Sequence, residues 1–152
     1  CPLWKQRYNR WEAEPYDTLL EECQNDVQKI ISNICDEYDD LIKPKINSCL
    51  VNRYNNGTEF IPPHRDSIIS FGEQPTIVGL SLGQTRTLQF NRVINEGIPY
   101  SKHTIVKTFE QPLQDNSLFV MGGCSQKYFT HQIPKDDSTD IRYSLTFREM
   151  II

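Results

Sequence analysis

The sequence predicts a mostly β domain, an antiparallel double sheet or barrel preceded by one amphipathic helix. Three observations favour this class. About eight short runs of strand-forming residues follow residue 45, glycines separate them, and a single stretch with helical periodicity comes before them. Strands and helices do not alternate along the chain, which argues against a doubly wound parallel sheet.

The length and charge of the chain set further limits. With 152 residues, of which 38% are hydrophobic and 24% charged, the chain is expected to form a single domain over residues 1–152. Its apolar runs are far shorter than the roughly 20 residues that span a bilayer, so we expect no membrane partner. The net charge is −4, whereas proteins that neutralise many phosphates are usually basic, so any nucleic-acid footprint is expected to be small.

The cysteines indicate a reducing environment. Five of them, at positions 1, 23, 35, 49 and 124, include no CxxC pair, which argues against a zinc knuckle or a secreted disulfide scaffold. We expect an intracellular location, without a distinction between cytoplasm and nucleus. Because the chain starts at Cys1 with no leader pattern, we expect a monomeric domain that belongs to a longer polypeptide.

Three segments are expected along the chain. Residues 1–15 combine aromatic and basic side chains, among them Trp4 and Tyr8, and are interpreted as a short lid. In residues 16–42, apolar residues recur at three- and four-residue steps as far as Tyr38, which predicts an amphipathic helix packed outside the core. Pro15 is expected to open this helix, because its missing N–H costs little there. Residues 46–152 carry the strands.

The strand-like runs are expected to build the double sheet. They consist of alternating or continuous apolar residues and are separated by Gly57, Gly72, Gly83, Gly97 and the Gly122–Gly123 pair. The runs are residues 46–54, 59–64, 76–82, 85–93, 103–109, 117–121, 127–133 and 141–149.

Two of the three histidines stand where a metal site could form. His64 and Asp66 are two residues apart at the end of an extended run, so their side chains point to one face and could share a metal ion. His131 could add the distant third ligand of a two-histidine, one-carboxylate facial triad. The alternative is a solvated histidine beside a surface aspartate, together with a sheet-edge histidine at 131. His103 is expected only on a surface strand.

The last strand-like run could bind an anion. Its strict alternation places Arg142, Ser144, Thr146 and Arg148 on one face. The two arginines are about 20 Å apart along the strand, so they could bind opposite ends of an elongated dicarboxylate through their forked N–H groups. The alternative is a polar face exposed to solvent.

These features, taken in order, resemble a known family. Asn52 and Tyr54, two apart on an earlier strand, could complete the hydrogen bonds to the same anion. The ordered series, which covers nearly all of residues 46–150 and ends in RxxxxxR, resembles the AlkB family of Fe(II)- and 2-oxoglutarate-dependent dioxygenases. The segments that carry it are residues 50–54 with Gly57, 64–66, 75–83, 86–90, 117–122, 126–131 with Pro134, and 142–148.

The resemblance implies roles for individual residues and a more specific fold. His64, Asp66 and His131 would bind Fe(II). The core would be a double-stranded β-helix, a jelly roll with the metal inside its open end. The residues implied to surround the cosubstrate 2-oxoglutarate are Asn52, Tyr54, Arg142, Ser144 and Arg148.

The resemblance also implies a reaction. With O₂ as co-reactant, N-alkyl groups, chiefly methyl, would be removed oxidatively from nucleobases in DNA or RNA, releasing an aldehyde, succinate and CO₂. The short lid and the acidic charge favour a single-stranded substrate. Tyr8 and Trp4 are expected to stack on the flipped base, unless they pack under the helix instead. Ile68 stands where many relatives carry a second acidic residue, which puts one contact to the base in doubt.

Other interpretations remain open at this point. Arg86 and Arg92 could touch a phosphate, or they could be ordinary strand-surface charges. The same chemistry could act on a protein or another non-nucleic substrate. A non-catalytic interaction module is the third class of function.

Overall fold

A computed structural model describes residues 13–94 and 104–151, in which one long helix precedes two antiparallel sheets. Within this part of the chain, no helix is long and apolar enough to cross a bilayer. The helices are α1 (Thr18–Glu37), α2 (Ile68–Phe71) and α3 (Ser125–Tyr128). The strands are β1 (Ser48–Tyr54), β2 (Ile61–His64), β3 (Ile77–Gly83), β4 (Arg86–Ile94), β5 (Thr104–Leu113), β6 (Ser117–Met121), β7 (Phe129–Ile133) and β8 (Arg142–Arg148).

Helix α1 is shorter than the sequence predicts. It begins after Asp17, whose carboxylate accepts a hydrogen bond from the Leu20 amide at 2.8 Å, rather than at Pro15, because a side-chain cap satisfies one of the open N–H groups of the first turn. It ends at Glu37 instead of near residue 42. No basic side chain lies in its last turn, and acidic residues follow it, which is unfavourable at the negative end of a helix dipole.

The buried face of α1 contacts the first sheet. Val27 and Ile31 belong to one apolar cluster with Ile46, with Val78 of β3 and with Phe147 of β8. Polar contacts add to it, since the Gln28 side chain accepts a hydrogen bond from the Ile46 amide and donates one to the Pro44 carbonyl. The buried stripe is narrower than the apolar pattern, because several residues of that pattern, Leu19, Ile30 and Tyr38, are exposed.

The Ile31→Ala variant is expected to have a free energy of unfolding lower by about 2–5 kcal/mol, because Ile31 is fully buried and its truncation leaves a cavity between helix and sheet. Ile30→Ala is the matched control, one residue earlier and 44% exposed, with an expected change within about 0.5 kcal/mol. Denaturant unfolding measures both variants. Equal losses would contradict this placement of the helix.

The strands form two four-stranded sheets, with the orders β1-β8-β3-β6 and β2-β7-β4-β5. The chain passes from one sheet to the other at nearly every connection, and only the β4–β5 connection stays within one sheet. The mostly β, double-sheet class predicted from sequence is confirmed, and this arrangement is consistent with a jelly roll.

The eight expected strands are present, with small differences at their ends. Strand β5 continues to Leu113 because its pairing with β4 extends to Arg86. Lys127 and Tyr128, expected in a strand, lie in the short helix α3. Neither α2 nor α3 was predicted, since four residues are too few to establish a helical period.

Candidate metal and cosubstrate site

Two histidines meet across neighbouring strands of the second sheet. His64 at the end of β2 and His131 in β7 are directly opposite one another in the antiparallel register, and their ring centroids are 4.1 Å apart. Because β7 lies between β2 and β4, His131 is in the interior of the sheet and not at its edge. The sheet-edge alternative for this histidine is therefore wrong.

Asp66 joins this pair from the segment that follows β2. Its Oδ2 atom lies 3.7 Å from Nε2 of His131, and both side chains are buried. The alternative of a surface aspartate therefore fails. The structure therefore places His131 against both His64 and Asp66, the two members of the HxD pair, although His131 comes from a distant stretch of chain.

Burial sets the protonation state of His131. The pKa of its imidazole is lowered to about 4, first by burial and then by the neighbouring His64, while Asp66 opposes the shift. At neutral pH the ring is therefore uncharged, and its contact with Asp66 is not an ion pair. A neutral imidazole is also the form that ligates metals.

The Asp66 carboxylate is held by two further side chains. Arg148 donates a hydrogen bond from Nη2 to Oδ1 at 3.1 Å. The buried Gln126 donates to Oδ2 at 3.4 Å, and its own amide oxygen accepts from the Asp66 backbone N–H at 2.9 Å. In residues 13–94 and 104–151, no three His, Cys, Asp or Glu side chains are placed closely enough to hold a metal ion as they stand.

The chemistry of the three donors nevertheless fits ferrous iron, which favours two imidazoles and one carboxylate on one face and leaves three positions open. Asp66 accepts from Arg148 and Gln126, and a metal ion would compete with Arg148 for the carboxylate oxygens.

Strand β8 presents its polar face to the interior. Arg142, Ser144, Thr146 and Arg148 are 1%, 6%, 8% and 9% exposed, whereas Tyr143 between them is 40% exposed. The predicted polar face is thus present and buried, so the alternative of a solvent-facing polar surface is wrong. Burial does not alternate strictly, because Phe147 on the opposite face is also fully buried. Two buried guanidinium groups require compensation by an anion or by hydrogen bonds.

The neighbours of β8 place further polar groups beside Arg142. In the β1–β8 register, Tyr54 is opposite Arg142 and Asn52 is opposite Ser144. Arg142 donates from Nε to Oγ of Ser81 at 3.0 Å and is hydrogen-bonded to Tyr54. Burial raises the pKa of the Tyr54 hydroxyl, and Arg142 partly opposes this effect, so the phenol stays protonated.

One cavity between the sheets contains most of these groups. The N–H groups at Nη1 of Arg142 and Nε of Arg148 are buried and have no hydrogen-bond acceptor among the described residues. Buried guanidinium donors of this kind suit a carboxylate ligand. The site residues that line the cavity are Asn52, Tyr54, His64, His131, Arg142, Ser144 and Arg148.

Some residues near the site had no role at the site assigned from the sequence, although they lie in segments that carry the family resemblance. Gln126 and Ser81 are uncharged, and only the fold brings them to Asp66 and Arg142. Arg86 is neither a phosphate contact nor a surface charge, because it is 2% exposed and forms an ion pair with Asp136. The sequence had no feature that indicated this burial.

Several expected features lie elsewhere. Ile68 is in α2 and exposed. Trp4, Tyr8 and His103 are outside the described residues, as is most of the expected lid over residues 1–15. Base stacking by Trp4 and Tyr8 therefore stays a prediction.

The chain is similar to known proteins. A family model described as the 2OG-Fe(II) oxygenase superfamily matches residues 3–148. The human protein named alpha-ketoglutarate-dependent dioxygenase alkB homolog 3 is 34% identical over 105 residues, which are 67% of this chain and 36% of that protein. The human protein named DNA oxidative demethylase ALKBH2 is 26% identical over 124 residues, 81% of this chain and 47% of that protein.

A plant protein of the same name, from Arabidopsis thaliana, is 28% identical over 118 residues, 68% of this chain and 38% of that protein. The chain spans less than half the length of each of these three relatives. The AlkB resemblance seen in the sequence motifs is confirmed. Since the family model covers nearly the whole chain, this protein belongs to the 2OG-Fe(II) oxygenase superfamily, as an AlkB-like member.

Proposed function

We propose that this chain is the catalytic part of an Fe(II)- and 2-oxoglutarate-dependent dioxygenase that removes N-linked methyl groups from nucleobases. The observation that carries the proposal is the convergence of His64, His131 and Asp66 beside a cavity that also contains the buried, unpaired N–H groups of Arg142 and Arg148. Two of the three proposed metal ligands, His64 and His131, thus line the same cavity as the two arginines, and Asp66 contacts both His131 and Arg148.

In this proposal the three converging side chains hold the iron. His64 and His131 would donate imidazole nitrogens, and Asp66 would donate a carboxylate oxygen. Iron and 2-oxoglutarate, once bound, supply with O₂ the oxidation that hydroxylates the N-linked carbon and leaves succinate and CO₂. The hydroxylated product then releases an aldehyde and the free base. Gln126 would orient Asp66 through its two hydrogen bonds, as outer partners of metal ligands commonly do.

The remaining polar residues would bind the cosubstrate. Arg142, with Tyr54 beside it, would bind the carboxylate far from the metal, because it is buried and has free N–H groups. Arg148 would act at the other end, next to Asp66. Asn52 and Ser144, which face each other across β1 and β8, would complete the polar wall. Apolar side chains close the cavity and exclude water, chiefly those of Leu88, Leu113 and Phe119.

A nucleobase substrate is supported by the name of the two ALKBH2 relatives, DNA oxidative demethylase. The net charge of −4 favours a single-stranded or otherwise small nucleic-acid footprint. A reducing compartment also remains part of the proposal. It is supported by the four cysteines of the described residues, Cys23, Cys35, Cys49 and Cys124, all of which have free thiols.

The decisive experiment is a panel of methylated DNA and RNA oligomers, single- and double-stranded, incubated with the protein, Fe(II), ascorbate and 2-oxoglutarate. We expect formaldehyde and succinate in equal amounts with at least one methylated single-stranded oligomer, and no formaldehyde with its unmethylated counterpart. Succinate without formaldehyde on every oligomer would overturn the nucleobase assignment and favour a protein or other substrate. Absence of both products on every oligomer would likewise overturn the nucleobase assignment.

A further inference from the structure

Arg86, the first residue of β4, is a buried cation with many partners. It is 2% exposed, and its Nη2 atom donates to the carbonyls of Pro134 at 2.6 Å and Glu59 at 3.0 Å. Its Nε atom lies 2.8 Å from Oδ2 of Asp136. Its Nη2 atom thus makes the hydrogen bonds to the two carbonyls, whereas Nε pairs with Asp136 by charge and has no hydrogen-bond acceptor among the described residues.

These partners belong to two loops, each of which connects a strand of the first sheet with a strand of the second. The loop of residues 55–60 joins β1 to β2, and the loop of residues 134–141 joins β7 to β8. Each loop therefore connects a strand with a proposed cosubstrate residue, Tyr54 or Arg142, to a strand with a proposed metal ligand, His64 or His131. The Arg86 side chain binds both loops, through Glu59 in the first and through Pro134 and Asp136 in the second.

The two loops also bind each other directly. The Gly57 amide donates to the Ser138 carbonyl at 2.7 Å, and the Asp136 amide donates to the Gly57 carbonyl at 3.0 Å. A Cβ atom on Gly57 would come within 2.2 Å of the Asp136 carbonyl oxygen, so only glycine permits this close approach. Arg86 therefore contacts two loops that are already hydrogen-bonded to each other.

From this position Arg86 also supports the cosubstrate residues. The Tyr54 ring is near two guanidinium groups, with its centroid 5.6 Å from Cζ of Arg86 and 5.1 Å from Cζ of Arg142. Tyr54 is in turn hydrogen-bonded to Arg142. If Arg86 were displaced, the Tyr54 ring would lose its contact with the Arg86 guanidinium group. Arg142 would then be held less firmly by Tyr54.

The charges of the two arginines are used differently. Arg86 is paired with Asp136, whereas no carboxylate among the described residues forms an ion pair with Arg142. The charge of Arg86 is therefore neutralised within the protein, whereas the charge of Arg142 remains available to bind an anionic ligand. Arg86 is also absent from the wall of the cavity.

We propose that Arg86 is a positioning residue for 2-oxoglutarate, which fixes Arg142 through Tyr54 and the two joined loops without touching the cosubstrate. This inference rests on the cosubstrate site of the proposed function. It predicts a selective defect, because His64 and His131 are held by the β2–β7 pairing and not by Arg86. Cosubstrate affinity should fall while metal affinity stays unchanged.

The test compares Arg86→Lys and Arg86→Met with the unmodified protein. Lysine keeps the charge but loses the forked donors. Binding of Mn(II), as a redox-stable substitute for iron, is measured by calorimetry, and 2-oxoglutarate is then titrated into the Mn(II)-loaded protein. Both variants are expected to weaken 2-oxoglutarate binding by about 10- to 100-fold, because Arg142 would no longer be held where it pairs with the cosubstrate carboxylate. Mn(II) affinity, and kcat at saturating 2-oxoglutarate for Arg86→Lys, should be unchanged.

Arg92→Lys and Arg92→Met are matched controls, since Arg92 lies on the same strand with its guanidinium near the exposed Tyr128 ring. They are expected to leave both affinities unchanged. If Arg86→Met does not fold, Arg86→Lys alone decides the question. Unaltered 2-oxoglutarate binding in Arg86→Lys, or an equal loss of Mn(II) binding, would overturn the inference. If the unmodified Mn(II)-loaded protein does not bind 2-oxoglutarate, the proposed function itself fails.

Discussion

The His64→Ala variant is expected to lose turnover to background while it keeps the fold. One of the three metal ligands is then missing, and the remaining His131 and Asp66 leave an incomplete donor set for Fe(II). The fold should persist because His64 is the last residue of a short strand and only half-buried. Formaldehyde release measures the activity, Mn(II) calorimetry measures the metal site, and circular dichroism checks the fold.

The control for this experiment is His103→Ala. His103 lies outside the described residues, and no role is assigned to it, so its replacement should leave turnover and Mn(II) affinity unchanged. Turnover in His64→Ala equal to that of the unmodified protein would remove His64 from the metal site. Equal losses in both histidine variants would show that the assay responds to general damage and not to the proposed ligand.

Arg142→Met is expected to raise the dissociation constant for 2-oxoglutarate strongly. Truncation of one partner of a buried, hydrogen-bonded charge pair costs about 2–5 kcal/mol, which corresponds to roughly thirty- to several-thousand-fold weaker binding. The ligand-free protein should tolerate the change. The hydrogen bonds of Arg142 to Ser81 and Tyr54 are lost, but the desolvation cost of a buried, unpaired charge is lost as well.

Two measurements separate ligand binding from stability in this variant. Without cosubstrate, the melting temperature of Arg142→Met should lie close to that of the unmodified protein. Ligand binding should raise the melting temperature of the unmodified protein when Mn(II) and 2-oxoglutarate are both present. In Arg142→Met, Mn(II) should still raise the melting temperature, but 2-oxoglutarate should add no further increase. Arg142→Lys keeps the charge without the bidentate fork and should show an intermediate affinity. Unchanged 2-oxoglutarate affinity in Arg142→Met would refute the placement.

Arg148 should behave differently from Arg142, although both were assigned to the cosubstrate from sequence. Its guanidinium already binds Asp66 at 3.1 Å, so its loss would disturb the proposed metal ligand as well as the cosubstrate. The two arginines are six residues apart on one strand, and sequence alone treats them as equivalent ends of a dicarboxylate site. Their different partners come from β1, β3 and the segment after β2.

The positions of helices and strands, and the faces on which neighbouring side chains lie, could be predicted from the sequence because they depend on short-range geometry. The alternation of β8 puts Arg142 and Arg148 on one face whatever surrounds the strand. The same argument does not place Asp66, because β2 ends at His64. The helix of residues 18–37 follows from its apolar period. The strand positions follow from glycines and from strand-forming residues, and they agree with the structure to within a few residues except at β5 and α3.

By itself, then, the sequence determined the double-sheet class, the strand positions, the family and the side chains with the potential for metal and carboxylate chemistry. Tertiary structure alone decided that the polar face of β8 is buried, that His131 lies beside His64, and that Arg86 is compensated while Arg142 is not. The physical reason is that burial and charge compensation depend on residues distant along the chain. Asp136 is fifty residues from Arg86, and only the joining of the two loops brings their charges together.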